Sequence, residues 1–466
     1  MDFWTKNEDE AKLIRLDPMM KSIGISRGTN SDNALVIEMG CGSSKPDIAP
    51  VQSKWQNNKE RNGYWKIDEH ARKAPKDMRN SPDIVTYFSS VSKDSRMIVR
   101  GFYVWISENI RYDVDGYFGR SSKAPCDGQS VLTCGKSVCA GYARAFELLC
   151  RDAGIPVKKI SGFAKGFSYS PSEPITFEQK TNHAWNAVQL EGKWHLIDCT
   201  WGAGHVERET KDFKKVFNEF YFLTDPNEFV SNHFPYMENN IEESQKWQLL
   251  SKPVSLEEFS SNVKYSQQAF KLGVLPVSHK KAYFEMEDEL QMTFHCTGNK
   301  DIYINSRLMF EDGQNVQKNA TFCYQENGVY KILVYPQKPG LYTLDIFGKH
   351  LLDTTNEGSS HLMGYKFNCT KVTDKNHEYP NVYKRTFVDK CLLHEPLIGR
   401  LPAKTEIQFR ISSPYLQHIM IDHKHFEKNG TMFTGKITTG DKGNEVNIFG
   451  KKTERKWTAL FSFCTI

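Results

Sequence analysis

The texture of this sequence changes near residue 265, and no single core can accommodate both halves. Upstream, apolar residues recur at helical spacing between Gly- and Pro-rich breaks. Downstream, short alternating runs such as Tyr330 to Tyr335 and Leu341 to Phe347 flank a Lys338-Pro339-Gly340 turn. Runs of that kind, recurring about every ten residues, describe an antiparallel sandwich. A chain of 466 residues exceeds one ordinary core and divides into several domains. The expected division is a mostly disordered polar arm over 1–75, an α+β domain over 76–262, a β-sandwich-like domain over 263–364 and a second β-rich domain over 365–466. In the last, Thr405 to Ile411 and Trp457 to Phe463 are the clearest strands. In the arm, only Ala34 to Ile37 has the character of a short strand or docking segment.

Composition excludes several function classes. The net charge of +5 is interleaved along the chain, without the basic track that nucleic-acid binding requires. No run approaches the roughly 18 apolar residues of a membrane span. The start, MDFWTKNEDEAKLIR, lacks a secretory layout, so an intracellular chain is expected. Eleven cysteines with no C-x-x-C pair support neither a disulfide framework nor a structural zinc site, so most should be reduced, small buried hydrophobes. Without secretion, the sequons at Asn319, Asn368 and Asn429 are chance matches. No phosphate-cradling loop or carboxylate cluster for calcium occurs, and no metal or cofactor is expected.

In the α+β region, Ser81-Pro82 starts a helical segment whose stripe is Ile98, Phe102, Trp105, Ile106 and Ile110. A second helix runs from Cys139 through Ala143, Phe146 and Cys150, and Ala153-Gly154-Ile155-Pro156 stops it. Strands follow at Val157 to Phe163 and Ala184 to Leu190. The latter is joined through Glu191-Gly192-Lys193 to Trp194 to Asp198 in a hairpin. The segment from Phe213 to Phe259 closes the same domain.

A cysteine nucleophile reacts as thiolate, which a helix N-terminus and a neighbouring imidazole favour. Cys139 stands at such a helix start, where free backbone N–H groups can also hold an oxyanion. Ala140 and Gly141 leave room for a substrate there. His183 heads one hairpin strand and Asp198 ends the next, so the two fall nearly opposite. The carboxylate can then hold one imidazole nitrogen and leave the other for Cys139. His195 is the rival imidazole, but strand alternation turns it from that face. Cys126, Cys134 and Cys139 with a histidine lack the paired spacing of a zinc site. Trp185, Trp194 and Trp201 are placed to shield the site or shape a groove, with Trp185 and Trp201 as the groove candidates.

The blocks Gly135 to Ala143, Asn182 to Asn186 and Trp194 to Gly204 resemble the transglutaminase-like superfamily, nearest to the kyphoscoliosis peptidase family. Phe234-Pro235 and Trp247 to Leu250 continue the resemblance, which covers about 80–260 and extends to the β-rich tail. It implies a papain-like fold with Cys139 as nucleophile, His183 as general base and acid, and Asp198 as orienting group. It also implies a cytoplasmic, cytoskeleton-associated cysteine peptidase acting on protein substrates, with cytoskeletal proteins as partners. Protein crosslinking and a catalytically silent scaffold are the alternatives, because members of the superfamily divide among them. Gln129 lies upstream of the nucleophile as a papain-type oxyanion glutamine does.

Overall fold

A computed structural model describes residues 63–207, 209–238, 240–297, 301–311, 316–353, 358–452 and 456–466. The arm expectation therefore lies outside the described residues as far as residue 62. Beyond it, Trp65–Arg72 forms helix α1, in a stretch assigned to the arm from its polarity. Ile67 and Ala71, four positions apart, bury one stripe of α1, and Asp68 on the same face meets Arg100.

Helix α2 (Ser81–Val91) starts where Asn80 caps the Asp83 N–H and Pro82 occupies the first turn. The stripe from Ile98 belongs to a separate helix, α3 (Ser95–Asn109), because Asp94 caps the Arg96 N–H and starts a new element. Almost every side chain from Ile98 to Ser107 is buried, making α3 the central helix of the domain. Helices α4 (Gly128–Cys134) and α5 (Cys139–Asp152) follow, and α5 buries Ala143, Phe146, Leu149 and Cys150.

Strands β1 (Val157–Ala164), β2 (His183–Leu190) and β3 (Lys193–Ile197) come next, then α6 (Cys199–Ala203), β4 (Phe222–Thr224), α7 (Pro226–Phe229), β5 (His233–Pro235) and α8 (Leu256–Ser261). The sheet order is β4-β3-β2-β1-β5, antiparallel throughout. Between β2 and β3, Glu191 and Gly192 both take left-handed φ (53° and 77°), the geometry of a two-residue primed turn. That turn fixes the register at Leu190↔Lys193 and Asn186↔Ile197. Asn186, fully buried, donates to the Ala143 carbonyl and ties β2 to α5. The cluster of Ile160, Trp185, Ala187, Leu196, Phe229 and Trp247 fills core beside the sheet, each large side chain contributing roughly 1.5–3 kcal/mol.

The tail is two β-sandwiches. In the first, a four-stranded sheet (274–276, 290–296, 329–334, 321–326) faces a five-stranded one (283–287, 360–371, 340–350, 302–310, 316–317). The second is built from sheets centred on Thr458–Thr465 with Glu445–Lys451 and on Glu406–Ser412 with Met432–Thr438. The boundary expected at 364/365 falls inside the strand Ser360–Lys371. That strand pairs on both sides, with Gly340–His350 and Tyr283–Glu287, so it belongs wholly to the first sandwich. The described residues thus form an α+β domain followed by two β-sandwiches.

Candidate active site

The structure joins His183 to Asp198, and Cys139 interacts electrostatically with both. The His183 Nε2 lies 2.7 Å from Asp198 Oδ2. That contact leaves Nδ1 as the ring atom on offer to the Cys139 thiol, with which the imidazole interacts electrostatically. By register Asp198 falls opposite Trp185, two residues along β2, so it meets His183 diagonally on the shared face. Its other oxygen accepts from the Thr200 and Trp201 N–H groups (2.8 and 3.1 Å) and caps α6. The carboxylate orientation is thus set by the start of a helix.

Cys139 is half-buried at the first position of α5. The preceding cap residue, Val138, offers no side-chain oxygen, so the Cys139 and Ala140 N–H groups stay available to an anion, while the Gly141 N–H donates to the Val138 carbonyl. Burial alone raises a thiol. Here the polar groups of His183 and the Ala184 backbone, with the imidazole charge, outweigh it and hold Cys139 below its ordinary value. Burial disfavours charge on His183, but the Asp198 charge and hydrogen bond, with the Cys139 contact, raise it to about 10. Asp198, fully buried, is pulled well below the carboxylate range because the His183 charge and both histidine hydrogen bonds exceed its desolvation. These opposed shifts favour thiolate and imidazolium over two neutral groups.

Gly141 is set by packing rather than by substrate access. A Cβ there would come within 2.0 Å of Ser137 Oγ and 2.9 Å of Val131 Cγ2, so the residue lets α4 and the entry to α5 approach closely.

Gln129 departs from its expected role. Its Oε1 accepts from the Ser81 N–H (3.2 Å), and its Nε2 donates to the Arg79 carbonyl and Thr133 Oγ1 (3.1 Å each). Gly128 beside it abuts Arg144 and Leu148, turns away from the tip of α5. Gln129 therefore secures the start of α2 and is not an oxyanion donor. Trp185 is also corrected: 1% exposed, it is core between His183, His233 and Phe229, because it shares the inward face of β2 with His183. Trp194 packs edge-on against Trp247. Trp201, half-buried, covers the imidazoles, with ring centroids 5.2 Å from His183 and 4.4 Å from His233. His195 lies on the other face of β3, near Arg96 and Glu191.

Sequence reasoning missed His233. It opens β5, is 1% exposed, and places Nε2 3.0 Å from the same Asp198 oxygen. Its only signal was its place before Phe234-Pro235. His183, Asp198 and His233 offer ligand atoms within 4.8 Å of one another, so a metal is geometrically conceivable there. Their donors already serve the hydrogen bonds to Asp198, and His233 Nδ1 has no partner among the described residues. A metal-bound imidazole ordinarily donates through its second nitrogen, so the donor set does not fit one. No disulfide joins the described cysteines. Six of them, Cys150, Cys199, Cys296, Cys323, Cys369 and Cys391, are buried. No described helix is long and apolar enough to cross a membrane.

Residues 83–199 match the transglutaminase-like superfamily, and residues 256–380 match the KY-like, immunoglobulin-like domain. The chain is 34% identical over 281 residues to the kyphoscoliosis peptidase of Mus musculus and 34% identical over 279 residues to that of Homo sapiens. Each match covers 59% of this chain and 38% of the relative. It is 27% identical over 234 residues to the Lim and transglutaminase domain protein ltd-1 of Caenorhabditis elegans, covering 46% of this chain and 30% of that one. The chain thus spans under half the length of these curated relatives.

Proposed function

We propose that this chain, whose residues 83–199 form a transglutaminase-like domain akin to that of the kyphoscoliosis peptidases, is a thiol acyl-transfer enzyme acting on protein substrates, and specifically a cysteine peptidase. The observation that carries the proposal is the His183 ring held by Asp198 on Nε2, with Cys139 at a helix tip and within electrostatic reach of that ring.

The Cys139 thiolate attacks a carbonyl carbon and forms a C–S bond, and the oxyanion is held by N–H groups at the start of α5. Collapse breaks the C–N bond as the His183 imidazolium gives its proton to the departing amine. His183 then takes a proton from water, which attacks the thioester, releases the acid and restores the thiol. Hydrolysis is preferred over transfer to a lysine amine because the mouse and human relatives are named peptidases. In the same reading the protein is cytoplasmic and cytoskeleton-associated, with cytoskeletal proteins as substrates and partners. A silent scaffold is the competing reading.

Two measurements separate them. An electrophilic thiol probe should label Cys139 at least about 10²-fold faster in the wild type than in His183→Ala, and Cys139→Ala should label only at background. Proteome-wide comparison of fragments and crosslinks formed by wild type and Cys139→Ala then identifies the acceptor. Equal labelling of wild type and His183→Ala would overturn the enzymatic reading and favour the scaffold.

A further inference from the structure

A second imidazole on a triad carboxylate needs a reason. His233 is enclosed by Phe229 (stacked, centroids 4.0 Å apart), Trp201 (4.4 Å) and Trp185 (5.1 Å). Burial pushes it down to about 4, against the pull of Asp198 and with the opposing charges of His183 and Lys264. The ring is therefore neutral at pH 7 and carries one proton. A proton on Nδ1 would be a buried donor without a partner, since that atom meets none among the described residues. On Nε2 it is donated to Asp198 Oδ2 at 3.0 Å, and the lone pair left bare on Nδ1 is the cheaper orphan.

Resting on the acyl-transfer reading, we propose that His233 is a positioning residue: a neutral imidazole that donates Nε2–H to Asp198 and thereby keeps the carboxylate ionised and turned towards His183. Asp198 receives four hydrogen bonds, two from backbone and two from rings. Without the His233 donor the carboxylate loses one of the contacts that fix its direction. It then turns from His183, and the imidazolium that faces the sulfur loses the support of its counter-charge, so the thiolate forms at higher pH.

The titratable and charged groups facing His233 are few. Asp198 precedes α6, His183 heads β2, Tyr221 precedes β4 at 6.0 Å between ring centroids, and Lys264 comes from the segment after α8, its Nζ 5.5 Å over Trp201. Lys165, at the end of β1 beside Asn232, bonds instead to the Asn262 carbonyl. Asn232 Nδ2 donates to the Tyr265 carbonyl and fixes the start of β5. The backbone before His233 is thus anchored to the segment that leads into the first sandwich.

The test is the pH dependence of Cys139 alkylation by iodoacetamide in the full chain. His233→Phe should raise the labelling midpoint by about one pH unit and slow labelling at pH 7 about tenfold. His233→Gln, whose amide can place an N–H at similar reach, should restore both to within about twofold. A folded His233→Phe with the wild-type midpoint and rate would overturn the proposal. Should His233→Phe fail to fold, 15N NMR of histidine-labelled wild type decides: a neutral Nε2–H tautomer at pH 6.5 is expected, and a doubly protonated or Nδ1–H ring overturns it. Slow wild-type labelling, equal to that of His183→Ala, would instead remove the acyl-transfer reading, while the NMR signal still reports whether His233 donates to Asp198.

Discussion

The transglutaminase-like core and the first sandwich solve burial in opposite ways. The sandwich interior is almost entirely hydrocarbon and aromatic: Met292, Phe294, Ile304, Leu344, Ile346, Leu362 and Phe367, with no ionisable carboxylate, amine, guanidinium or imidazole among its buried residues. The core buries Asp68, Arg100, Asp113, Lys165, His183, Asp198 and His233. Each needs partners to offset desolvation. A fold that needed only stability would use the sandwich solution, so the buried charge that the core holds and the first sandwich lacks marks where chemistry is arranged.

Not all of that charge belongs to the site, and substitution separates the two kinds. Arg100, its side chain fully buried, binds both oxygens of Asp68 (2.6 and 2.7 Å) and both of Glu219 (2.8 and 2.5 Å). It joins α1, α3 and the approach to β4. Arg100→Ala leaves Asp68 without its cation and should destabilise the core by about 3–5 kcal/mol. Ile346→Val in the sandwich should cost about 1 kcal/mol. Chemical denaturation followed separately in the core and the sandwich checks this, and comparable losses would erase the contrast.

The smallest signals in the sequence explain what was and was not legible. The place of Cys139 at a helix start and the meeting of His183 with Asp198 were legible because a helix start and a two-residue hairpin are local patterns, and Glu191-Gly192 sets the register alone. His233 was not, because β5 is three residues long and its partner on Asp198 lies 35 residues away. Trp185 was misread as a groove residue because the strand is buried on both faces, so an inward tryptophan is core rather than groove. Helix α1 was hidden in a polar stretch because its docking depends on Asp68 finding Arg100, 32 residues on. The sandwich boundary slipped because alternation through Leu362, Met363, Tyr365 and Phe367 does not reveal which sandwich claims the strand.

Titration sharpens the contrast without mutating the fold. His183 is raised to about 10 in the folded protein against roughly 6.5 unfolded. Its contribution is full below pH 6.5 and is lost as pH rises through 10. His233 is lowered to about 4, so the unfolded chain binds its proton first. Stability is therefore lost as pH falls from about 6.5 through 4. The core should be most stable near pH 6.5. His183→Ala should flatten the alkaline slope of Tm, and His233→Gln the acid slope. The first sandwich, with no buried imidazole, should hold its midpoint over the same range.

The smallest effect is expected at Gln129, and it tests whether polarity in the core implies a role in chemistry. Its side chain is exposed and bonds Ser81, Arg79 and Thr133. These bonds tie α4 to the start of α2, where Ser81 Oγ also reaches Asp152 at 2.5 Å. Gln129→Ala removes them where water can replace them, a loss of at most about 1 kcal/mol. Labelling of Cys139 should keep its wild-type rate and pH midpoint, because nothing in that set of bonds reaches the tip of α5. An oxyanion donor would act otherwise: its removal slows acyl transfer by about 10²–10³-fold and leaves stability unchanged. A Gln129→Ala protein of wild-type stability with slowed turnover would return this glutamine to the site and break the division between the structural and the reactive polar groups of the core.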